Sequence, residues 1–297
     1  MSAAAAPGAP SRARLWVMGA RPRTLGASVV PVAVGAAASG HAVVSATALA
    51  TVVALALQVG VNYANDYFDG VRGVDAARIG PVRLTGSRLA APAAVARAAA
   101  LALGIAAVAG AVLALTTRPV LLIGGALALA AAVLYSGGRR PYASMGLGEL
   151  AVFTFFGPVA VCGTALANAG VIPAGAVWAS VTPGLLATAL LLANNLRDIS
   201  GDAAAGKRTL AVRIGDRRTR QLFVVTIVVA LAVPVVGVVA GPLPRAALLV
   251  LVAAPLAIRP IRLAWAGRGT VLVQALGATA RLLLISGVLL TVGLALR

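Results

Sequence analysis

Acid is what this sequence has least of. Seven Asp and Glu stand against 25 Lys and Arg, and charged residues of every kind make up 11% of 297. A soluble domain carries about 25%, so an ordinary water-facing surface is excluded. Aromatic residues are 4%, and cysteine and histidine occur once each. The lone Cys162, set in an apolar stretch, excludes an internal disulfide and reads as a small buried hydrophobe. His41 falls in a predicted outer loop away from the acids, which argues against a zinc centre built on imidazole or thiolate. Lys207 is the only lysine, and the arginine excess is a composition bias without mechanistic weight. No uninterrupted apolar core with a cleavage site follows the first charges, because Arg12, Arg14, Arg21 and Arg23 break up the N-terminal region. The expectation is insertion by a retained first helix rather than a cleaved signal.

What is present is apolar length. Hydrophobic residues make up 61% of the chain and the mean hydropathy is +0.99. Runs of about 20 apolar residues span a bilayer as helices. Between clusters of Gly, Pro and charge lie nine such stretches, at 24–40, 43–64, 93–115, 119–137, 148–168, 172–194, 219–240, 244–264 and 270–294. The expectation is an all-α, polytopic transmembrane bundle of about nine helices, a single domain over 1–297 with residues 1–20 as a flexible cytoplasmic N-terminus. With the N-terminus inside, 21 basic residues fall on the inner side and three, Arg118, Arg245 and Arg297, outside. The positive-inside rule then places the N-terminus in the cytoplasm and the C-terminus outside. The net charge of +18 therefore belongs to topology, and no nucleic-acid partner is expected.

All seven acids fall on the inner side, and five lie in two short segments. One is Asn65-Asp66-Tyr67-Phe68-Asp69 with Asp75, and the other is Asn194-Asn195-Leu196-Arg197-Asp198 with Asp202. They follow the second and sixth spans, so four intervening spans put them on one membrane face, as two same-sense four-helix repeats with a ninth helix added would do. Oxygen donors recur at i and i+4, Asn65 with Asp69 and Asp198 with Asp202, and so share a helix face if the helices run through them. Carboxylates at a membrane boundary are costly and repel one another, so a cation should offset them. Asp and Asn oxygens without His or thiolate suit Mg²⁺, which typically bridges carboxylates to substrate phosphates. A simpler pairing of Asp198 with Arg197 or Lys207 is the structural alternative. Lys207 and Arg208 beyond Asp202, and Arg72, Arg78 and Arg83 beyond Asp69, are candidate phosphate partners. Gly206-Lys207-Arg208-Thr209 is no P-loop, because Gly201 follows a membrane helix rather than a strand. Tyr63, Tyr67, Phe68, Tyr135 and Tyr142 crowd the same side, where they act either as cation-stabilising faces or as interfacial anchors.

Asn-Asp-Tyr-Phe-Asp at 65–69 and Arg-Asp-Ile-Ser-Gly-Asp at 197–202 resemble the two aspartate-rich motifs of the UbiA superfamily of intramembrane prenyltransferases. Further stretches resemble its branch that prenylates 1,4-dihydroxy-2-naphthoate in menaquinone biosynthesis. These are Ala20 to Leu25, Gly80 to Ser87, Tyr135 to Tyr142, Gly146 to Glu149, Phe155 to Pro158 and Asn194 to Gly215. The likeness covers about residues 16–220, the last three helices being generic. Many superfamily members carry a third acid four residues after the second; here position 73 is glycine and the acid comes at Asp75, a spacing similar to the naphthoate branch.

The resemblance implies a Mg²⁺-dependent enzyme of the cell (inner) membrane that moves a polyprenyl chain from polyprenyl diphosphate to dihydroxynaphthoate. CO₂ and diphosphate leave, and demethylmenaquinol is the product. It implies Asn65, Asp66, Asp69, Asp198 and Asp202 as metal ligands. Asp69, Asp198, Asp202, Lys207 and Tyr135 would carry the chemistry, with Tyr63 or Tyr135 steadying an allylic cation. Arg72, Asp75, Arg83, Lys207, Arg208, Tyr63 and Asn195 would bind substrate, and Arg21, Arg23, Arg139 and Arg140 are unranked candidates for the acceptor carboxylate. Glu149 is either a base toward the ring hydroxyl or an ordinary helix-start acid. A sibling enzyme with another acceptor, such as 4-hydroxybenzoate, is the alternative. An ion-coupled transporter is a further one, but it would place acids near the midplane in inverted repeats.

Overall fold

The computed structural model of the chain describes residues 11–73 and 83–296, with the side chain of Arg23 outside that description. Asp75, Arg78 and the start of the Gly80–Ser87 stretch therefore lie outside the described residues. Those described fold into ten helices and no strand. They are α1 Arg12–Ala20, α2 Pro22–Ser39, α3 Val44–Val71, α4 Pro92–Thr116 and α5 Leu121–Ser136. Then come α6 Gly148–Ala169, α7 Ala174–Ala204, α8 Leu210–Val239, α9 Arg245–Ala266 and α10 Thr270–Ala295. Seven are long and apolar enough to cross a bilayer, and α2 and α5 are shorter apolar helices. The chain is an integral membrane protein, with Leu101, Val108, Leu115 and Leu127 turned outward and exposed, as lipid-facing residues are.

Helices α2 to α10 occupy the nine expected stretches. α3 and α4 form one extensively packed hairpin and α7 and α8 the other, the second and third helices of each four-helix unit. α10 packs on α2, α7 and α9, joining the end of the chain to its beginning. The larger core, with Leu186, Phe223, Ile227 and Leu290 fully buried, draws on α2 and α6 to α10. Without a hydrophobic drive between helices in lipid, close approach of small residues supplies the packing. The π-helical turn Phe155–Val159 within α6, which carries Pro158, shows this best. A Cβ on Gly157 would stand 2.9 Å from the Ser180 carbonyl oxygen, and one on Gly184 would stand 3.0 Å from the Gly157 Cα. The two backbones meet there because neither residue has a side chain.

Four boundaries differ from expectation. Residues 12–20, expected to be flexible, form α1. Ser11 caps its first turn by accepting from the Arg14 N–H, and Arg21 ends it in the left-handed conformation before Pro22 opens α2. Proline suits the first turn of a helix, where its missing donor has no partner to lose. Trp16 of α1 then packs edge-on against Tyr63 of α3. α3 and α7, of 28 and 31 residues, exceed the roughly 20 that span a bilayer, so each projects its last turns beyond the apolar run. α8 starts ahead of its apolar stretch, at Leu210 after the Thr209 cap, and kinks at Gly215 (φ 81°), a left-handed backbone that glycine adopts without steric cost.

Candidate active site

The projecting ends of α3 and α7 carry the two acidic motifs. Because both helices continue through them, Asn65 with Asp69 and Asp198 with Asp202 each occupy one helix face. The motifs meet through Lys207. Beyond α7 the backbone turns, with the Lys207 N–H donating to the Asp202 carbonyl (2.8 Å) and the Arg208 N–H to the Ser144 carbonyl (3.1 Å). This aims the Lys207 ammonium across the bundle to Asp69 Oδ1 at 2.7 Å, a bond linking residues 138 positions apart. Asp69 is only 3% exposed, and Arg83, also buried, stands 3.7 Å from its other oxygen. Its charge is thus answered by two cations, one from each half of the chain.

Asp198 is held differently. Arg197 donates to both of its oxygens at 2.7 Å, and also to Asn194 Oδ1 at 2.8 Å. Of the two cations considered for Asp198, Arg197 pairs with it, while Lys207 serves the opposite motif. Among the described residues no three His, Cys, Asp or Glu side chains converge as a ready-made metal cluster. The acids are spread over two helices, and Asp69 and Asp198 are each paired with cations.

Asp66 has another task. At 1% exposure it accepts from the Leu84 N–H (2.7 Å) and the Thr85 N–H (2.9 Å), clamping the segment that delivers Arg83 to Asp69. Arg72 donates to the carbonyls of Ser136 and Gly138, both at 2.7 Å, and lies over the Phe68 ring. It caps the C-terminus of α5, where cations are favoured, instead of pointing to the centre of the site. Tyr63 donates its hydroxyl to the Trp16 carbonyl (2.8 Å), and Asn62 donates to that of Ala20 (2.8 Å). Both fix α1 and the α1–α2 break.

Tyr135, near the end of α5, packs edge-on against Tyr142 and is within electrostatic reach of Glu149, Asp69 and Arg21. Burial pushes the Tyr142 phenol, in the turn Tyr142–Met145, up to about 12; it donates to the Ala131 carbonyl at 2.8 Å. Arg139 and Arg140 are exposed in the loop after α5, Arg208 is exposed after α7, and Asp202 and Asn65 are half-buried. Asn195 donates to Glu149 Oε1 at 2.9 Å. The site thus has a polar floor of oxygen donors and cations from α3, α7 and their following loops. Two tyrosines and a buried glutamate, from the end of α5 to the start of α6, form its wall.

The UbiA prenyltransferase family matches residues 28–271. A 1,4-dihydroxy-2-naphthoate octaprenyltransferase of Mycobacterium tuberculosis is 53% identical over 241 residues, covering 77% of this chain and 82% of that one. The protein of the same name from Escherichia coli is 37% identical, covering 71% and 72%. Among solved structures, a UbiA homolog from Aeropyrum pernix K1 superposes with a TM-score of 0.72 at 20% identity, over 92% of this chain and 98% of that one. One from Archaeoglobus fulgidus bound to DMAPP and Mg²⁺ superposes with a TM-score of 0.62 at 14% identity, over 93% and 99%.

Proposed function

The chain belongs to the UbiA prenyltransferase family, and from that premise we propose that it transfers a polyprenyl chain to 1,4-dihydroxy-2-naphthoate in menaquinone synthesis, with loss of CO₂ and diphosphate. The acceptor is the one named for the relatives at 53% and 37% identity. The observation that supports this placement of the chemistry is the Lys207–Asp69 contact, which joins the turn after the second acidic motif to the first motif.

Asn65, Asp69, Asp198 and Asp202 would hold Mg²⁺. They form an oxygen-only donor set on two facing helix ends, which fits a hard divalent ion, and the Archaeoglobus homolog was solved with one. Bound there, Mg²⁺ supplies Lewis-acid neutralisation of the diphosphate charge. Asp66 is left out of this set, since both its oxygens hold fixed backbone N–H groups, whereas the partners of Asp69 and Asp198 are side chains that can swing aside for an ion.

Lys207 and Arg83, which answer Asp69 here, would turn to the diphosphate oxygens as the C–O bond breaks and stabilise the leaving group as positioned donors. Tyr135, packed edge-on against Tyr142, would offer an allylic cation its aromatic face, while the Tyr63 hydroxyl is committed to α1. Of the arginines considered for the acceptor carboxylate, Arg139 and Arg140 are exposed while Arg21 is half-buried at the α1–α2 break, so we propose Arg21 for that role. Arg72 acts through α5. From the basic excess on the site's side we infer a cytoplasmic site and N-terminus, an outer C-terminus and residence in the cell membrane.

The test is incubation of the purified protein with dihydroxynaphthoate, Mg²⁺ and a ladder of prenyl diphosphates, with product masses recorded. A prenylated, decarboxylated naphthoquinol is expected. Product from 4-hydroxybenzoate alone would replace this acceptor with another.

A further inference from the structure

Glu149 has a half-finished environment. It is 6% exposed at the start of α6. Its Oε1 accepts from Asn195, whereas its Oε2 is buried and has no hydrogen-bond partner among the described residues. A buried carboxylate oxygen without a donor is costly, and the cost is relieved when a ligand brings one. The surroundings say where that ligand lies. The Tyr135 hydroxyl stands 3.8 Å from where a Cβ on Gly148 would be, so it borders the residue next to Glu149. Asn195 is three residues before Asp198, on the same side of α7. Glu149 therefore sits between the aromatic wall and the helix that carries the second acidic motif, and its open oxygen calls for a hydroxyl donor.

We propose that Glu149 is the general base that takes the proton of the acceptor hydroxyl next to the carboxylate, and that Asn195 is its positioning residue. The proposal rests on the prenyl-transfer reading above. The step balances as follows. The hydroxyl proton passes to Glu149 Oε2, and the oxygen electron pair enters the ring. The ring carbon bearing the carboxylate then forms a C–C bond to the prenyl C1, while the diphosphate departs with the C–O electron pair. The carbonyl so formed lies β to the carboxylate, which leaves as CO₂. The electrons released restore the aromatic ring, and the oxygen recovers its proton from Glu149. One carboxylate thus acts as base and then as acid, and no outside oxidant or proton is consumed.

Glu149→Gln keeps the size of the side chain and an oxygen for Asn195 but cannot take a proton. It should lower kcat for dihydroxynaphthoate at least about 100-fold, the lower end of general-base contributions, with KM for the prenyl diphosphate unchanged. Glu149→Asp should recover part of the rate. Asn195→Ala should lower kcat by less, again without moving that KM. An acceptor O-methylated at the hydroxyl beside the carboxylate should be as slow with the wild-type protein as dihydroxynaphthoate is with Glu149→Gln, and that variant should slow it no further. Wild-type rates from Glu149→Gln overturn the proposal. If that variant does not fold, full turnover of the O-methyl acceptor by the wild-type protein overturns it instead. A wild-type protein inactive on dihydroxynaphthoate overturns the acceptor assignment alone, and the same Glu149→Gln comparison is then made with the acceptor it does use.

Discussion

Replacing Asp66 separates two accounts of the first acidic motif, because its carboxylate is bonded to backbone and Asp69 is bonded to cations. Asp66→Ala removes the acceptor of two buried backbone N–H groups, those of Leu84 and Thr85. A hydrogen bond to a charged group contributes about 1.5–3 kcal/mol, so the loss is of order 3–6 kcal/mol, a large part of a typical stability. At roughly 2–4 °C per kcal/mol for larger domains, the melting temperature in detergent should fall by about 10 °C or more. Thermal unfolding followed by a thiol-reactive dye would read Cys162, the one cysteine. Limited proteolysis should find the segment near residues 83–90 newly cleavable. Activity should fall as well, but through release of Arg83 from Asp69. Asp69→Asn, which leaves the clamp intact but strips Arg83 and Lys207 of their anion, should lose activity without making residues 83–90 newly cleavable. A normal melting temperature in Asp66→Ala, together with activity as low as in Asp69→Asn, would refute this reasoning and return Asp66 to the metal ligands.

Lys207→Met removes one of two cations facing a nearly buried carboxylate. It should raise KM for the prenyl diphosphate and lower kcat by at least about 10-fold, the equivalent of 1.4 kcal/mol, whereas Arg208→Met, at an exposed position, should do much less; steady-state kinetics of the pair decide it. Chelation by EDTA should stop turnover and added Mg²⁺ restore it, measured as diphosphate release. Tyr142 is protonated in the folded protein up to about pH 12 and ionises near 10 when unfolded. Its contribution to stability is therefore complete below pH 10 and fades as pH rises from 10 toward 12. Tyr142→Phe should flatten that decline in melting temperature.

The membrane helices were legible in the sequence because the bilayer imposes a length on apolar runs, and all nine stretches became helices. Their ends were not, since Asn and Asp continue α3 and α7 past the last apolar residue. Nor does a hydropathy pattern register a short interfacial helix like α1, which Trp16 and Tyr63 hold by tertiary contact. The site showed the same division. Spacing within one helix correctly paired Asn65 with Asp69 and Asp198 with Asp202 on shared faces. Spacing cannot say which carboxylate a cation reaches across the bundle, and so Lys207 answers Asp69 while Arg197 answers Asp198. Asp66 reads as a metal ligand and Arg72 as a phosphate partner because their side chains suit ions, yet the backbone N–H groups of Leu84 and Thr85 and the open carbonyls ending α5 claim them first.

Binding of Mn²⁺ in place of Mg²⁺, followed by electron paramagnetic resonance with an unreactive prenyl thiodiphosphate present, tests most directly whether the two halves form one site. Asp69→Asn and Asp198→Asn should each abolish the bound signal, because each removes a negative charge and one of the two carboxylate oxygens from a shared site. Undiminished Mn²⁺ binding in either variant would mean that the acidic ends of α3 and α7 do not act together.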